Sequence, residues 1–96
     1  MNDSVYLTIL FDYYEKLLSD KDRDCFKLYY FENLYLSEIS ENLNISRNAI
    51  HKRLKKIEEE LLSFEEKLKL YDKEQKIMCL IDDFDLKERI KNVFSE

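Results

Sequence analysis

The stretch Leu36-Ser-Glu-Ile-Ser-Glu-Asn-Leu-Asn-Ile-Ser-Arg-Asn-Ala-Ile-His-Lys-Arg-Leu54 decides the fold. Ile39 and Leu43, four residues apart, fall on one face of a short helix over Leu36–Leu43. Asn44-Ile45 suits a tight corner, Ser46 is a good helix cap, and Ile50 and Leu54 repeat the four-residue spacing beyond it. Ile39 and Leu43 therefore bury a first helix, Ile45 plugs the corner, and Ile50 and Leu54 dock a second. This is the internal logic of a helix-turn-helix over about residues 36–56. It leaves Ser46, Arg47, Asn48, His51, Lys52 and Lys55 facing outward. Those residue types suit a recognition helix: Arg matches guanine, Asn matches adenine, and Lys and Ser hold phosphates. Arg47, Asn48, His51 and Lys52 are expected near base edges of double-stranded DNA, with Ser46, Arg53, Lys55 and Lys56 nearer phosphates.

The charge map singles out the same segment. Net charge is −5, and acids outnumber bases on both sides of residues 46–57. Within that segment Arg47, Lys52, Arg53, Lys55 and Lys56 stand with no acid. A solvated helix face normally mixes signs, so an acid-free island in an acidic chain favours an anionic partner. The first N–H groups of the second helix add a phosphate-sized anion site beside Ser46.

Composition excludes the competing phosphate chemistries. The 96 residues contain no glycine and no proline, where average usage predicts roughly seven and five. No Gly-rich phosphate loop, no nucleophile elbow and no Asn-Gly hairpin can be written. Turns fall to Asn, Asp and Ser, which points to an all-α chain. Asn44 takes the corner where many such motifs use glycine, because Asn best tolerates left-handed backbone angles after Gly. Cys25 and Cys79 lack metal-ligand spacing and read as buried, reduced thiols. His51 is the single histidine, so neither a His-based metal site nor a catalytic triad can be assembled; no catalytic residue, metal or cofactor is expected. No apolar run reaches membrane-spanning length. The opening residues 1–4 lack the basic region and apolar core of a signal peptide, and a cytoplasmic location is expected.

Outward from the motif, Asp3 or Ser4 caps a first helix to about Leu18, with Val5, Ile9, Tyr13 and Leu17 as its stripe, widened by Tyr6 and Leu10. Ser19 caps a second helix over residues 20–32 that turns Phe26, Tyr29 and Tyr30 inward. Ile50, Leu54, Ile57, Leu61, Phe64, Leu68 and Tyr71 then alternate four and three apart, a heptad seam for a long helix that, if unbroken, spans residues 47–71. A tail over residues 73–96 carries an Ile77, Leu80, Ile81, Phe84 stripe, a capping box at Asp85 and Glu88, and a last helix with Leu86, Ile90, Val93 and Phe94. The tail packs on the long helix or on a second protomer, and a homodimer is preferred.

The segments Leu18-Ser-Asp-Lys-Asp-Arg-Asp-Cys-Phe-Lys-Leu-Tyr-Tyr-Phe, Leu36-Ser-Glu-Ile-Ser-Glu-Asn-Leu and Ile45-Ser-Arg-Asn-Ala-Ile resemble region four of bacterial sigma factors. With Leu10-Phe11-Asp12-Tyr13-Tyr14 and Phe64-Glu65-Glu66-Lys67-Leu68, residues 4–72 more closely resemble the YlxM-like family of small helix-turn-helix proteins. The resemblance implies a sigma-region-four-like bundle over residues 1–72, DNA binding without enzymatic activity, and a regulatory link to the signal-recognition-particle pathway. Two positions depart from the family pattern: Tyr35 stands where Ser often precedes the first motif helix, and Lys52 where an acid is common.

Simpler readings apply elsewhere. Tyr6, Tyr13, Phe26, Tyr29 and Tyr30 are expected as core rather than as a base-stacking platform. Glu58, Glu59 and Glu60 form a solvated face that confines any DNA contact to the first turns of the helix. With five bases per protomer, a dimer engaging about eight phosphates gives a salt slope of roughly −7. The rival expectation, favoured by the acidic balance, is an interaction module for a protein or ribonucleoprotein such as a signal-recognition-particle component.

Overall fold

The computed structural model describes residues 3–96; the first two residues of the expected N-terminal segment lie outside this description. Six α-helices follow one another: α1 Ser4–Tyr14, α2 Asp20–Tyr30, α3 Leu36–Leu43, α4 Arg47–Leu68, α5 Leu70–Cys79 and α6 Phe84–Phe94. A 3-10 turn at Glu15–Leu17 separates α1 from α2. Among the described residues there is no strand, and the chain is all-α.

Helix α4 is the organiser. Helices α1, α2 and α3 all pack on it, and its Ile50, Leu54, Ile57 and Leu61 lie in the core with Leu7, Leu10, Phe11, Tyr14, Phe26 and Ile39. Aromatic rings fill the space between α1 and α2. Phe11 stacks on Phe26 at 4.3 Å and 4°, and Phe26 stacks on Tyr30 at 4.4 Å. Buried rings of this size supply much of the burial available to a chain of 96 residues.

Several expectations need correction. The stripe on α1 is Leu7, Leu10, Phe11 and Tyr14; Val5 is 64% and Leu17 55% exposed. Eight of the eleven residues of α1 are apolar, so composition around the helix gives no contrast from which to read a phase, and steps of four drift about 40° each. The first helix also ends at Tyr14 instead of reaching Leu18. Tyr29 turns outward while Phe26 and Tyr30 pack inward, and α2 ends two residues early. Cys25 is buried, but Cys79 is exposed, because α5 covers its other side with Tyr71, Glu74 and Met78.

The largest correction concerns the long helix. It stops at Leu68, and Lys69 takes left-handed angles of φ 56° and ψ 35° before α5 begins. The cause is Glu65, buried where the heptad pattern places only a polar flank. Its carboxylate accepts from the Tyr14 hydroxyl at 2.6 Å and from the N–H groups of Tyr71 and Asp72, each at 3.1 Å. The Tyr14 oxygen in turn accepts from the Leu70 N–H at 3.0 Å. Three of the free N–H groups at the start of α5 thus end on one Tyr–Glu pair from α1 and α4. Burial and the Glu65 hydrogen bond push the Tyr14 phenol up to about 12.

The tail then folds back within the same chain. Tyr71 meets Tyr6 and Tyr13 edge to face, and Phe94 meets Tyr13 at 6.2 Å. Asp83, not Asp85, caps α6 by accepting from the Asp85 and Leu86 N–H groups. Glu88 is therefore free of the expected capping box and pairs with Lys91. Leu80 is 85% and Phe84 73% exposed at the α5–α6 corner, and Leu86 and Val93 are open on α6.

Candidate nucleic-acid interface

The corner between α3 and α4 follows its sequence closely. Asn44 adopts left-handed angles of φ 55° and ψ 45°, and its N–H together with that of Ile45 returns to the Ser40 carbonyl. The Ser40 hydroxyl donates to the Ile45 carbonyl and so ties the corner to α3. An Asn in this geometry avoids the steric cost most side chains meet there. Ser46 is extended, and its hydroxyl oxygen accepts from the Ala49 N–H at 3.1 Å, which starts α4. The start of α3 needs no Ser. Glu38 reaches back to accept from the Tyr35 N–H at 3.0 Å, the half of a capping box that does not depend on the residue before the helix.

Ser46, Arg47, Asn48, His51, Lys52 and Lys55 are all exposed. Arg47, His51 and Lys55 recur every four residues, with Asn48 and Lys52 beside them, so they share the outward side of α4. From Arg47 to Lys55 this face runs about 12 Å along the axis, close to the width of a DNA major groove. The opposite side of the same turns is Ile50 and Leu54, both in the core. The face is therefore held by packing beneath it.

Two members of the basic island have another partner. Asp22 of α2 is buried, and its carboxylate lies 3.0 Å from Lys56 Nζ and 3.8 Å from Arg53 Nε. Lys56 also stands 3.7 Å from Glu60. The hydrogen bond to Asp22 is the main reason the Lys56 ammonium is raised above its ordinary range. Arg53 and Lys56 thus bridge α4 to α2, while Arg47, Lys52 and Lys55 make no ion pair with the described residues. This partition is invisible along the chain. Asp22 in the first turn of α2 is already accounted for by the helix dipole, and only the α2–α4 crossing brings it under the basic island.

Among the described residues, no three His, Cys, Asp or Glu side chains gather into a metal-binding set, and no helix is long and apolar enough to cross a membrane.

Comparison with known proteins agrees with this geometry. Residues 1–96 match the model of the family described as "Putative helix-turn-helix protein, YlxM / p13 like". A UPF0122 protein of Thermoanaerobacter sp. (strain X514) is 44% identical over 81 residues, covering 84% of this chain and 69% of the relative. A UPF0122 protein of Oceanobacillus iheyensis is 37% identical over 93 residues, covering 97% and 89% of the two chains. One of Ureaplasma parvum serovar 3 is 38% identical over 95 residues, covering 96% of each. The chain belongs to this YlxM/p13-like helix-turn-helix family.

Proposed function

From this family membership we propose that the protein binds double-stranded DNA through α4 and acts as a non-enzymatic transcriptional regulator. The observation that carries the reading is the acid-free outward face of Arg47, Asn48, His51, Lys52 and Lys55, seated on a helix whose inner side is locked in the core. In this reading Arg47, Asn48, His51 and Lys52 approach base edges. Ser46, the N–H groups beside it and Lys55 take phosphates. Arg53 and Lys56 serve first to hold α4 at its angle to α2 through Asp22, and contribute little to counterion release.

A homodimer completes the proposal, because paired half-sites need two recognition helices about 34 Å apart. The open apolar residues Leu80, Phe84, Leu86 and Val93 support α5–α6 as the isologous contact. Light scattering then reports twice the 11.8 kDa chain mass, and Phe84→Asp returns it to one. A cytoplasmic site of action, expected from the sequence, and a regulatory link to the signal-recognition-particle pathway, implied by the family resemblance, accompany this reading.

A second reading is favoured by the net charge of −5, which opposes any approach to DNA. In it the fold is kept and the same α5–α6 edge binds a protein or ribonucleoprotein component of that pathway. Gel shifts with random duplex DNA and with signal-recognition-particle RNA, run over a salt series, separate the two.

A further inference from the structure

A single residue makes the break between α4 and α5. Helix α4 ends at Leu68, α5 begins at Leu70, and Lys69 alone turns the chain with φ 56° and ψ 35°. A residue with a Cβ is disfavoured in that left-handed region. Turning Lys69 right-handed joins the two helices into one from Arg47 to Cys79, about 50 Å long. The apolar seam allows it, since Phe64, Leu68 and Tyr71 keep the four-and-three spacing across the break.

Hydrogen bonding is nearly even between the bent and straight arrangements. The Lys69 N–H still returns to the Glu65 carbonyl, and the Lys73 N–H to the Lys69 carbonyl. The break therefore interrupts the helical bonds of Leu70, Tyr71 and Asp72. Those three N–H groups are the ones accepted by the Tyr14 oxygen and the two Glu65 carboxylate oxygens. A continuous helix returns them to the carbonyls of Glu66, Lys67 and Leu68, and it leaves the Tyr14–Glu65 bond intact. The Tyr–Glu pair is a latch that replaces three helical bonds while the chain is bent.

Little else holds the tail to the body. Glu74 is the one buried residue of α5, and α6 has none. Tyr71 on Tyr6 and Tyr13, Phe94 on Tyr13, Leu70 at the core edge and an exposed Lys16–Glu96 hydrogen bond form the attachment. The ion pairs Lys76–Asp72 and Lys91–Glu88 stay inside the tail. A segment with so little burial opens more readily than the core. Its departure bares Tyr6 and Tyr13, and the surface shaped to cover them is the same tail of a second copy.

We propose that Lys69 is an exchange hinge: it straightens, and α5–α6 of each chain docks on α1 of a second copy, with Tyr71 and Phe94 meeting Tyr13 across the two chains. The exchange rests on the homodimer of the proposed function and supplies its connection. Contacts that close the single chain are reused between chains, so the assembly is two-fold and closed.

Isotope-filtered NOE spectroscopy tests this on a mixture of isotope-labelled and unlabelled full chains, unfolded in urea and refolded together. The expected result is Tyr13–Tyr71 and Tyr13–Phe94 ring contacts between chains. Light scattering over a dilution series then reads the hinge. Lys69→Gly suits the left-handed turn and weakens a helix interior, so it raises the dimer dissociation constant about tenfold. Tyr14→Phe removes the Leu70 acceptor from the bent form alone and lowers that constant. A dimer whose ring contacts arise only within chains overturns the exchange and leaves the homodimer standing; this comparison uses the unaltered chain. A chain that stays monomeric at NMR concentration overturns both. Lys69→Gly leaving the constant unchanged, or Tyr14→Phe raising it, also overturns the exchange.

Discussion

Removing the Glu65 carboxylate is the sharpest perturbation of the fold. In Glu65→Ala, the buried Tyr14 hydroxyl and the half-buried N–H groups of Tyr71 and Asp72 lose their shared acceptor. A hydrogen bond to a charged group contributes about 1.5–3 kcal/mol, and a donor left unsatisfied costs about 1–3 kcal/mol. The two N–H groups at the start of α5 recover some solvent by fraying, so only the buried Tyr14 bond is lost at full value. The expected loss is about 3 kcal/mol, which for a domain of this length lowers Tm by roughly 12–24 °C. Tyr14→Phe removes one donor and keeps the ring, so it costs less, about 1–2 kcal/mol. Urea unfolding followed by far-ultraviolet circular dichroism measures both. A double-mutant cycle isolates the pair, with an expected coupling of about 1–2 kcal/mol. The reasoning is refuted if Glu65→Ala costs less than about 0.5 kcal/mol, the range of an ordinary surface substitution.

Other outcomes follow from the same geometry. Asp22→Asn frees Arg53 and Lys56 from their buried partner; stability falls by about 1 kcal/mol, since both cations rehydrate readily, while DNA affinity rises and its salt slope steepens. Unfolding midpoints and a binding titration of the same preparation check this. Lys69→Gly relieves a left-handed lysine and is expected to raise the urea midpoint by an amount corresponding to about 0.5–1 kcal/mol. Tyr14 is raised in the folded state from 10 to about 12, so the stability it contributes is complete below pH 10 and is lost as pH rises through 12. Tyr14→Phe therefore makes the fall of the unfolding midpoint between pH 10 and 12 shallower, leaving the declines from Tyr6, Tyr30 and Lys56, which are also raised in the folded state and act in the same direction.

What could be read along the chain was whatever local chemistry decides. Helix α3, the left-handed Asn44, the Ser46 cap and the burial of Ile50 and Leu54 each depend on a residue's own preference and on its neighbours three or four away. The break at Lys69 depends on Tyr14, fifty-five positions earlier, and on a glutamate that a heptad reading assigns to solvent. A seam of Phe64, Leu68 and Tyr71 continues smoothly through the break, so periodicity carries no trace of it. The phase of α1 failed for the opposite reason, since apolar residues surround the helix almost completely. In the candidate interface, identities and outward placement were legible, but the diversion of Arg53 and Lys56 to Asp22 needed the helix crossing.

The central claim, that α4 presents a DNA-binding face with three unpaired cations per protomer, is tested most directly by salt dependence. Fluorescence anisotropy with a labelled duplex of about 20 base pairs, from 50 to 300 mM salt, gives the slope of log affinity against log salt. Six such cations in a dimer predict a slope of about −5, shallower than the roughly −7 expected from the whole basic island. Arg47→Ala with Lys52→Ala leaves two and brings the slope to about −2. Affinity that does not change with salt, or a double variant that binds as the unaltered chain does, contradicts the account.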